Sequence, residues 1–483
     1  MAVASINERL IFGLKLKFFR QASGFLLQDL SEATGISVSY LNEIEKAKKY
    51  PRPDKINAIA KALKVTASEL SSKKLPVHLT PIAELLDSQF LQELPLELFG
   101  IDIVKVTDII AESPGKVGAF ITAILELAKQ YGQESEHFYL SALRSYQELH
   151  NNYFSELEAS ATNILLSLNA DTSVNSLQLF LGQHGISCIE TDFSAFPKLK
   201  YFKSIYSENS KTLSIHKDLN EREKRYILAR EVGFQFLGLN PRPATNIPLK
   251  VLSFDILLNH FSASYCAMAL LVPETEFKKD LKSLLELPTW QPSILIQWID
   301  KYDVAPFILI HRFSLLPRIL GIDNIFFLRS KLNLQSQQVE IDRELHLSRR
   351  HDPHANRRRE HYCRRWLAIR VFDAFHENDE SIIIKIQRSI YHYSGNEYLC
   401  IAIAEKKNDK EWISHTAGML LDMKSDTQIK FCQDPEIERK IVNVTCERCD
   451  IKDCIERVTE PIILNAKDNF KQIQRQLDKF LNT

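Results

Sequence analysis

Residues 25–53 read FLLQDLSEATGISVSYLNEIEKAKKYPRP, and this pattern decides the fold of the front of the chain. Leu26, Leu27, Leu30 and Ala33 recur at helical spacing and predict a short amphipathic helix. Gly35 follows with the backbone freedom that a sharp helix exit needs. Ser37 is placed to cap a second helix, because its hydroxyl can accept a backbone N–H from the first turn. That helix has Val38, Leu41 and Ile44 on its inward side. Pro51 and Pro53 then end it, since proline brings no N–H donor to a helix interior.

Two short helices around such a turn form the helix-turn-helix unit, whose second helix enters a DNA major groove and reads base edges. The spacing over about residues 8–70, including the later run INAIAKALKV at 56–65, resembles the repressor-type helix-turn-helix family. The resemblance implies double-stranded DNA as partner. It assigns Ser37 to the start of the reading helix, and Val38, Ser39, Tyr40, Asn42 and Glu43 to its groove face. Arg20, Lys46, Lys48, Lys49 and Arg52 are then expected on phosphates. Leu27 departs from the family, which often carries a phosphate-bonding Gln there, and this removes one contact.

The full chain has 483 residues, 45% of them hydrophobic and 25% charged, the balance of an ordinary globular protein. At roughly 100–200 residues per domain, about three domains are expected. Net charge is zero, which alone argues against a nucleic-acid partner, but the charge is unevenly placed. Residues 1–75 carry thirteen Lys/Arg against seven Asp/Glu, and residues 77–150 carry four against eleven. A basic head before an acidic body suits a modular DNA binder. No apolar run nears the roughly 18 residues that span a bilayer, and no leader opens the chain, so a cytoplasmic location without membrane attachment is expected.

The coarse expectation is a mixed α+β, mostly helical chain. A helix-turn-helix domain at 1–72 precedes a helical connecting or dimerising region at 77–168, with helices at 80–92, 102–111, 115–131 and a long one at 134–168. An α+β sensor region follows at 169–335, with helices near 174–182, 221–239 and 251–271 and strands near 186–190 and 212–216. A C-terminal α+β domain at 336–483 holds β-branched strands at 337–345 and within 366–404, and an amphipathic helix at 464–482.

The stretch YILAREVGF at 226–234 resembles the metal-binding helix of a zinc metallopeptidase-like family. That family carries His-Glu-x-x-His, two imidazoles one turn apart sharing a zinc, with Glu as general base. Here the three positions hold Arg230, Glu231 and Phe234, and residues 251–273 supply no third-ligand Glu. The resemblance therefore implies a peptidase fold without its metal, a sensor rather than an enzyme. Arg230 then becomes a candidate for holding an anionic ligand, and Arg312, in the scaffold-like IHRF at 310–313, a second.

Eight cysteines in a cytoplasmic chain do not predict disulfides. Cys188, Cys266, Cys400 and Cys432 read as small hydrophobes in apolar surroundings. Cys446, Cys449 and Cys454 form a tight loop instead, and such spacing lets thiolates converge on one metal centre. Cys363, in HYCRRW at 361–366, is the best fourth ligand, with His361 or His354 as substitutes. Nine Arg against three Asp/Glu over 343–370 favour thiolates, an anionic cluster or an anionic ligand there. Zinc and a [4Fe–4S] cluster both fit four thiolates.

The basic head, the metal-free peptidase-like middle, HYCRRW and the cysteine loop together resemble the short-chain fatty acyl-CoA regulator family over nearly the whole chain. That resemblance implies bacterial control of short-chain fatty acid metabolism genes, an acyl-CoA effector, and a [4Fe–4S] cluster on Cys363, Cys446, Cys449 and Cys454. A homodimer is expected, because paired heads suit half-sites about one DNA turn apart. Two rival readings are a metallopeptidase that cleaves a repressor, and a zinc-stabilised repressor controlled by a protein partner.

Overall fold

A computed structural model describes residues 6–72, 135–246, 253–321, 325–346, 360–376, 381–408 and 410–481. The expected helices at 80–92, 102–111 and 115–131 lie outside these residues. The fold is mixed α+β, with about half of it helical. The chain divides into two compact units, Met1–Tyr146 with Lys250–Phe254, and Gln147–Leu249 with Asp255–Thr483.

The first unit begins with five helices: α1 (Ile6–Ala22), α2 (Leu27–Thr34), α3 (Val38–Glu45), α4 (Pro53–Ala62) and α5 (Ala67–Ser71). Their core is built from Phe12, Leu16, Leu30, Leu41, Ile44 and Ile59. Gly13 permits a close crossing of α1 over α3, because a Cβ there would sit 2.5 Å from the Ile44 carbonyl oxygen. The buried Lys15 ammonium ties α1 to α5, donating to the Glu69 carbonyl at 2.7 Å and the Ser72 carbonyl at 2.5 Å. Burial lowers its pKa.

The long helix expected at 134–168 is two helices, α6 (Ser135–Leu149) and α7 (Ser155–Ser167). Asn151 and Asn152 separate them in the left-handed region, with φ of 50° and 48°. Asparagine tolerates that conformation better than other side chains, so the helical periodicity runs through a turn.

In the second unit, α8 (Val174–Gln183) precedes a small sheet of β1 (Ser187–Thr191), β2 (Ser204–Ser207) and β3 (Thr212–His216) in the order β1-β3-β2. Helix α9 (Glu221–Phe236) opens with a reciprocal cap between Asn220 and Glu223 and packs on α8. It crosses α10 (Phe254–Leu271) at Gly233, where a Cβ would lie 3.1 Å from the Ala263 carbonyl. By length and composition α10 could cross a membrane, but half of it is buried inside the protein, as expected of a core helix. Helices α11 (Glu274–Leu285), α12 (Ser293–Tyr302), α13 (Pro306–Arg312) and α14 (Leu316–Leu320) follow.

The main sheet has six strands in the order β5-β4-β8-β7-β6-β9. They are β4 (Ile325–Asn333), β5 (Gln338–His346), β6 (Ile382–Tyr391), β7 (Glu397–Asn408), β8 (Glu411–Leu420) and β9 (Arg439–Val442). All neighbours are antiparallel except β6 and β9. The short α15 (Leu367–Arg370) packs against the sheet through Trp366, Leu367 and Ile369, and α13 also contacts β7 and β8. A boundary at 335 would therefore cut a hairpin, since β4 belongs to the same sheet as β5. A 3-10 turn (Cys446–Arg448) and helix α17 (Ile462–Leu481) close the chain, after the short α16 (Met423–Gln428).

Candidate functional site

Helix α3 is held for reading. Gly35 ends α2 with φ 69°, and its N–H returns to the Ser31 carbonyl at 2.9 Å. Ser37 Oγ then accepts the Tyr40 N–H at 3.3 Å, capping α3 as the residue pattern predicts. Leu41, Ile44 and Glu45 face inward. Ser37, Val38 and Ser39 are exposed, and Tyr40, Asn42, Glu43 and Lys46 are partly so, which places all seven expected DNA-binding residues on the accessible side of α3 and its ends. Val38 thus belongs to the outer face, not the core. Lys48, Lys49 and Arg52 are exposed just beyond, and Lys55 Nζ lies 4.0 Å over the Tyr40 ring.

Arg20 does not stand on that surface. Its guanidinium donates to both Glu45 carboxylate oxygens, at 2.6 and 2.9 Å, and to the Phe25 carbonyl at 2.8 Å. Both side chains are buried, so Arg20 holds α1 to α3 instead of reaching a phosphate.

The peptidase-like positions are filled by a closed polar cluster. Glu231 is buried and takes two hydrogen bonds from Arg242, at 2.6 and 2.5 Å. The Arg242 guanidinium carbon lies 3.9 Å from the Tyr206 ring and 4.0 Å from the Phe234 ring. Arg230 donates to the Asn246 carbonyl at 3.0 Å and the Ser204 hydroxyl at 3.4 Å. His260, on α10, meets the same carbonyl at 3.0 Å, and burial together with the Arg230 charge lowers its pKa to about 3. Arg312 is almost fully buried against Glu158, at 2.6 and 3.1 Å, with Tyr265 also donating to that carboxylate. The structure gives Arg312 an internal partner in place of a ligand, and Arg230 is likewise satisfied from within.

Cys363, Cys446, Cys449 and Cys454 line one small pocket, partly open to solvent, together with Arg364, Arg365 and Arg457. Two distant segments meet there through a backbone bridge between Tyr362 and Thr445. The Cys446 N–H donates to the His361 carbonyl at 2.9 Å, and the Cys363 N–H to the Val444 carbonyl at 3.1 Å. Arg457 gathers the loop by donating to the carbonyls of Cys446, Cys449 and Ile451, at 3.2, 3.3 and 2.6 Å. Cys363 Sγ accepts the Asn443 N–H at 3.5 Å, and burial pushes its thiol up to about 11. His361 is turned to Glu447, with Nδ1 2.7 Å from the carboxylate, and is not among the cavity-lining residues. His354 lies outside the described residues. Among the described residues, no three His, Cys, Asp or Glu side chains already form a metal-binding group. The donor set nonetheless suits an anionic metal centre: four thiols from two segments, a backbone N–H on one sulfur, and three arginines around them.

A helix-turn-helix family profile matches residues 16–70. An uncharacterized HTH-type transcriptional regulator, YazB of Bacillus subtilis (strain 168), is 36% identical over 64 residues, 13% of this chain and 93% of that protein. The chain belongs to the helix-turn-helix transcriptional regulators. A Mycobacterium tuberculosis transcriptional regulator of solved structure matches 66% of this regulator and 92% of its own chain, with TM-score 0.46 and 18% identity.

Several working parts of the regulator escaped the sequence reading. Glu45, Arg242 and Asn246 satisfy buried charges from other elements, and nothing in the local pattern around Arg20 or Glu231 announces them. Glu360 and Arg448, paired at 2.7 Å, and Arg457 brace the cysteine loop. Only their nearness to HYCRRW and to the loop could have marked them.

Proposed function

We propose that this regulator is a sequence-specific bacterial DNA-binding switch whose body carries a [4Fe–4S] cluster on Cys363, Cys446, Cys449 and Cys454, and which answers to a short-chain acyl-CoA. The observation that carries the reading is the shared cavity of those four thiols. A bound cluster would supply one-electron redox chemistry and sensitivity to oxidants. The chain's own residues then fix the loop: Arg457 holds three carbonyls, and Glu447 orients His361 beside it. Arg364, Arg365 and Arg457 line the same pocket and would balance the negative charge of a thiolate-ligated centre.

The acyl-CoA effector rests on the family resemblance. An effector shifts the body between arrangements only if it binds one of them more tightly, so it must also raise thermal stability. Two copies with paired heads reading a two-fold operator complete the reading, and the body performs no catalysis of its own. Anaerobic purification with absorption spectroscopy and iron, sulfide and zinc analysis tests the centre. Colourless protein with one zinc converts the reading to a Cys₄ zinc site, and metal retained by Cys449→Ala removes this ligand set. No melting shift with acetyl-, propionyl- or butyryl-CoA up to millimolar concentration removes the effector.

A further inference from the structure

Lys55 is the third residue of α4, and its ammonium lies 4.0 Å from the centre of the ring of Tyr40, the third residue of α3. That is well inside the range of about 6 Å over which an ammonium is attracted to the face of an aromatic ring. Both residues are half-buried, and Tyr40 also packs against the core of the head. Core and charge together fix the ring. Neither polar end is satisfied within the protein: among the described residues the Lys55 ammonium has no ion pair or hydrogen bond, and the Tyr40 hydroxyl has no hydrogen bond.

Helix stability does not account for this lysine. The first turn of a helix is the positive end of its macrodipole, where a carboxylate is favoured and a cation is not. Lys55 also follows Arg52 by three residues, and like charges at that spacing repel. Asp54 stands in the same turn without pairing with it. Nothing in the head uses the charge, so an anion from outside is the group it suits. Tyr40 lies with Val38, Ser39, Asn42 and Glu43 on the accessible side of α3, which places an ammonium seated on its ring beside the reading surface. On a duplex, the anions flanking the groove are backbone phosphates, and contacts to them fix the register in which base edges are read.

We infer that Lys55 and Tyr40 act as one DNA-contacting unit, in which the Lys55 ammonium meets a backbone phosphate and, through the ring beneath it, Lys55 positions Tyr40 for its contact in the groove. This deepens the sequence-specific DNA reading above and rests on it. Lys55 belongs to α4, outside the reading helix, and acts on base preference only by way of Tyr40. A ring already held before DNA arrives loses less freedom on binding, so the pair lowers the ordering cost of the contact.

Fluorescence anisotropy of the full chain on a labelled random-sequence duplex, between about 50 and 200 mM salt, tests the phosphate contact, and selection from random duplexes tests the positioning. Lys55→Met and Lys55→Gln should each make the slope of log affinity against log salt shallower by about 0.9, so the wild-type advantage shrinks roughly threefold across that range. Lys55→Arg should restore the slope, because a guanidinium also binds phosphate and stacks on a ring. In the selection, Lys55→Met should relax preference at the same base pair as Tyr40→Ala, and Lys55→Arg should keep it. Weaker binding with an unchanged slope in both neutral variants overturns the phosphate contact and the unit with it. Unchanged base preference in Lys55→Met or in Tyr40→Ala overturns the positioning. A wild type that enriches no site removes the sequence-specific reading itself, while the slopes on the random duplex still decide the phosphate contact.

Discussion

Replacing Arg20 separates two physical roles that its position in the sequence does not distinguish. If Arg20 touched a DNA phosphate, Arg20→Met would leave the head folded and remove about one unit from the salt dependence of DNA affinity. The structure commits it to Glu45 through two hydrogen bonds, with both groups buried. Removing one partner of such a pair leaves an uncompensated buried carboxylate and costs about 3–5 kcal/mol. At about 1.4 kcal/mol per tenfold, opening of the head becomes more frequent by two to nearly four powers of ten. The four tryptophans lie at 290, 298, 366 and 412, so fluorescence does not report on the head. Hydrogen exchange with mass spectrometry on the full chain does, because core amides of α1 and α3 exchange only through opening. The double variant Arg20→Met, Glu45→Leu removes the orphaned charge and should regain most of the protection. Unchanged exchange in Arg20→Met, with weaker DNA binding and a shallower salt slope, would refute the ion-pair assignment.

Gly13→Ala should destabilise the head by about 1–3 kcal/mol, because its Cβ meets the backbone of α3 and no side chain can yield; a head melting unchanged by hydrogen exchange would contradict the crossing. Asn42→Ala, on the accessible side of α3, should relax preference at a single base pair by about 1–3 kcal/mol, read by selection from random duplexes. Cys449→Ala should lose the metal proposed for the four-thiol site while keeping DNA binding detectable, measured by elemental analysis beside a mobility shift. Buried histidines set an acid limit: burial and neighbouring arginines lower His260 to about 3 and His311 to about 4, and His415 falls well below its usual range. Each binds its proton in the unfolded chain first, so stability is full above about 6.5 and falls as pH drops toward the folded values, by at most about 1.4 kcal/mol per pH unit for each. Thermal melts from pH 7.5 to 4.5 should show that slope, and His260→Gln should reduce it; a flat profile would count against neutral burial.

What was legible in the sequence is what short-range chemistry controls. Gly35 and Ser37 act on atoms within a few residues, so the turn and the cap of α3 follow from the pattern alone. The strand Thr212–His216 has the limits expected of it, and the helix expected near 174–182 runs Val174–Gln183. Strand β8 was not legible, because Ser414, His415 and Thr416 interrupt its apolar run yet are buried in the sheet. Polar residues read as a loop until the neighbouring strands that cover them are known. Arg20 and Arg312 illustrate the same limit for charge, since a buried guanidinium and a DNA-facing one look alike until the carboxylate is located.

In the four-cysteine pocket, placement follows chain spacing in a way that the partner of a buried charge does not. Cys446, Cys449 and Cys454 are close along the chain, so their common placement needs only a tight loop, which the 3-10 turn at Cys446–Arg448 begins. Cys363 is remote, and its arrival depends on the parallel pairing of β9 with β6 and on the Tyr362–Thr445 bridge. Trp366 fixes that approach, with its indole N–H donating to the Asn443 carbonyl at 2.8 Å from within the sheet core. The segment that brings Cys363 is therefore anchored by packing that owes nothing to a metal. Trp366→Ala should therefore withdraw Cys363 from the other three and, on the proposed ligand set, lower metal content, although Trp366 carries no ligand atom. A variant that keeps full metal occupancy would show that the proposed cluster assembles the two segments, instead of the segments presenting a site to it.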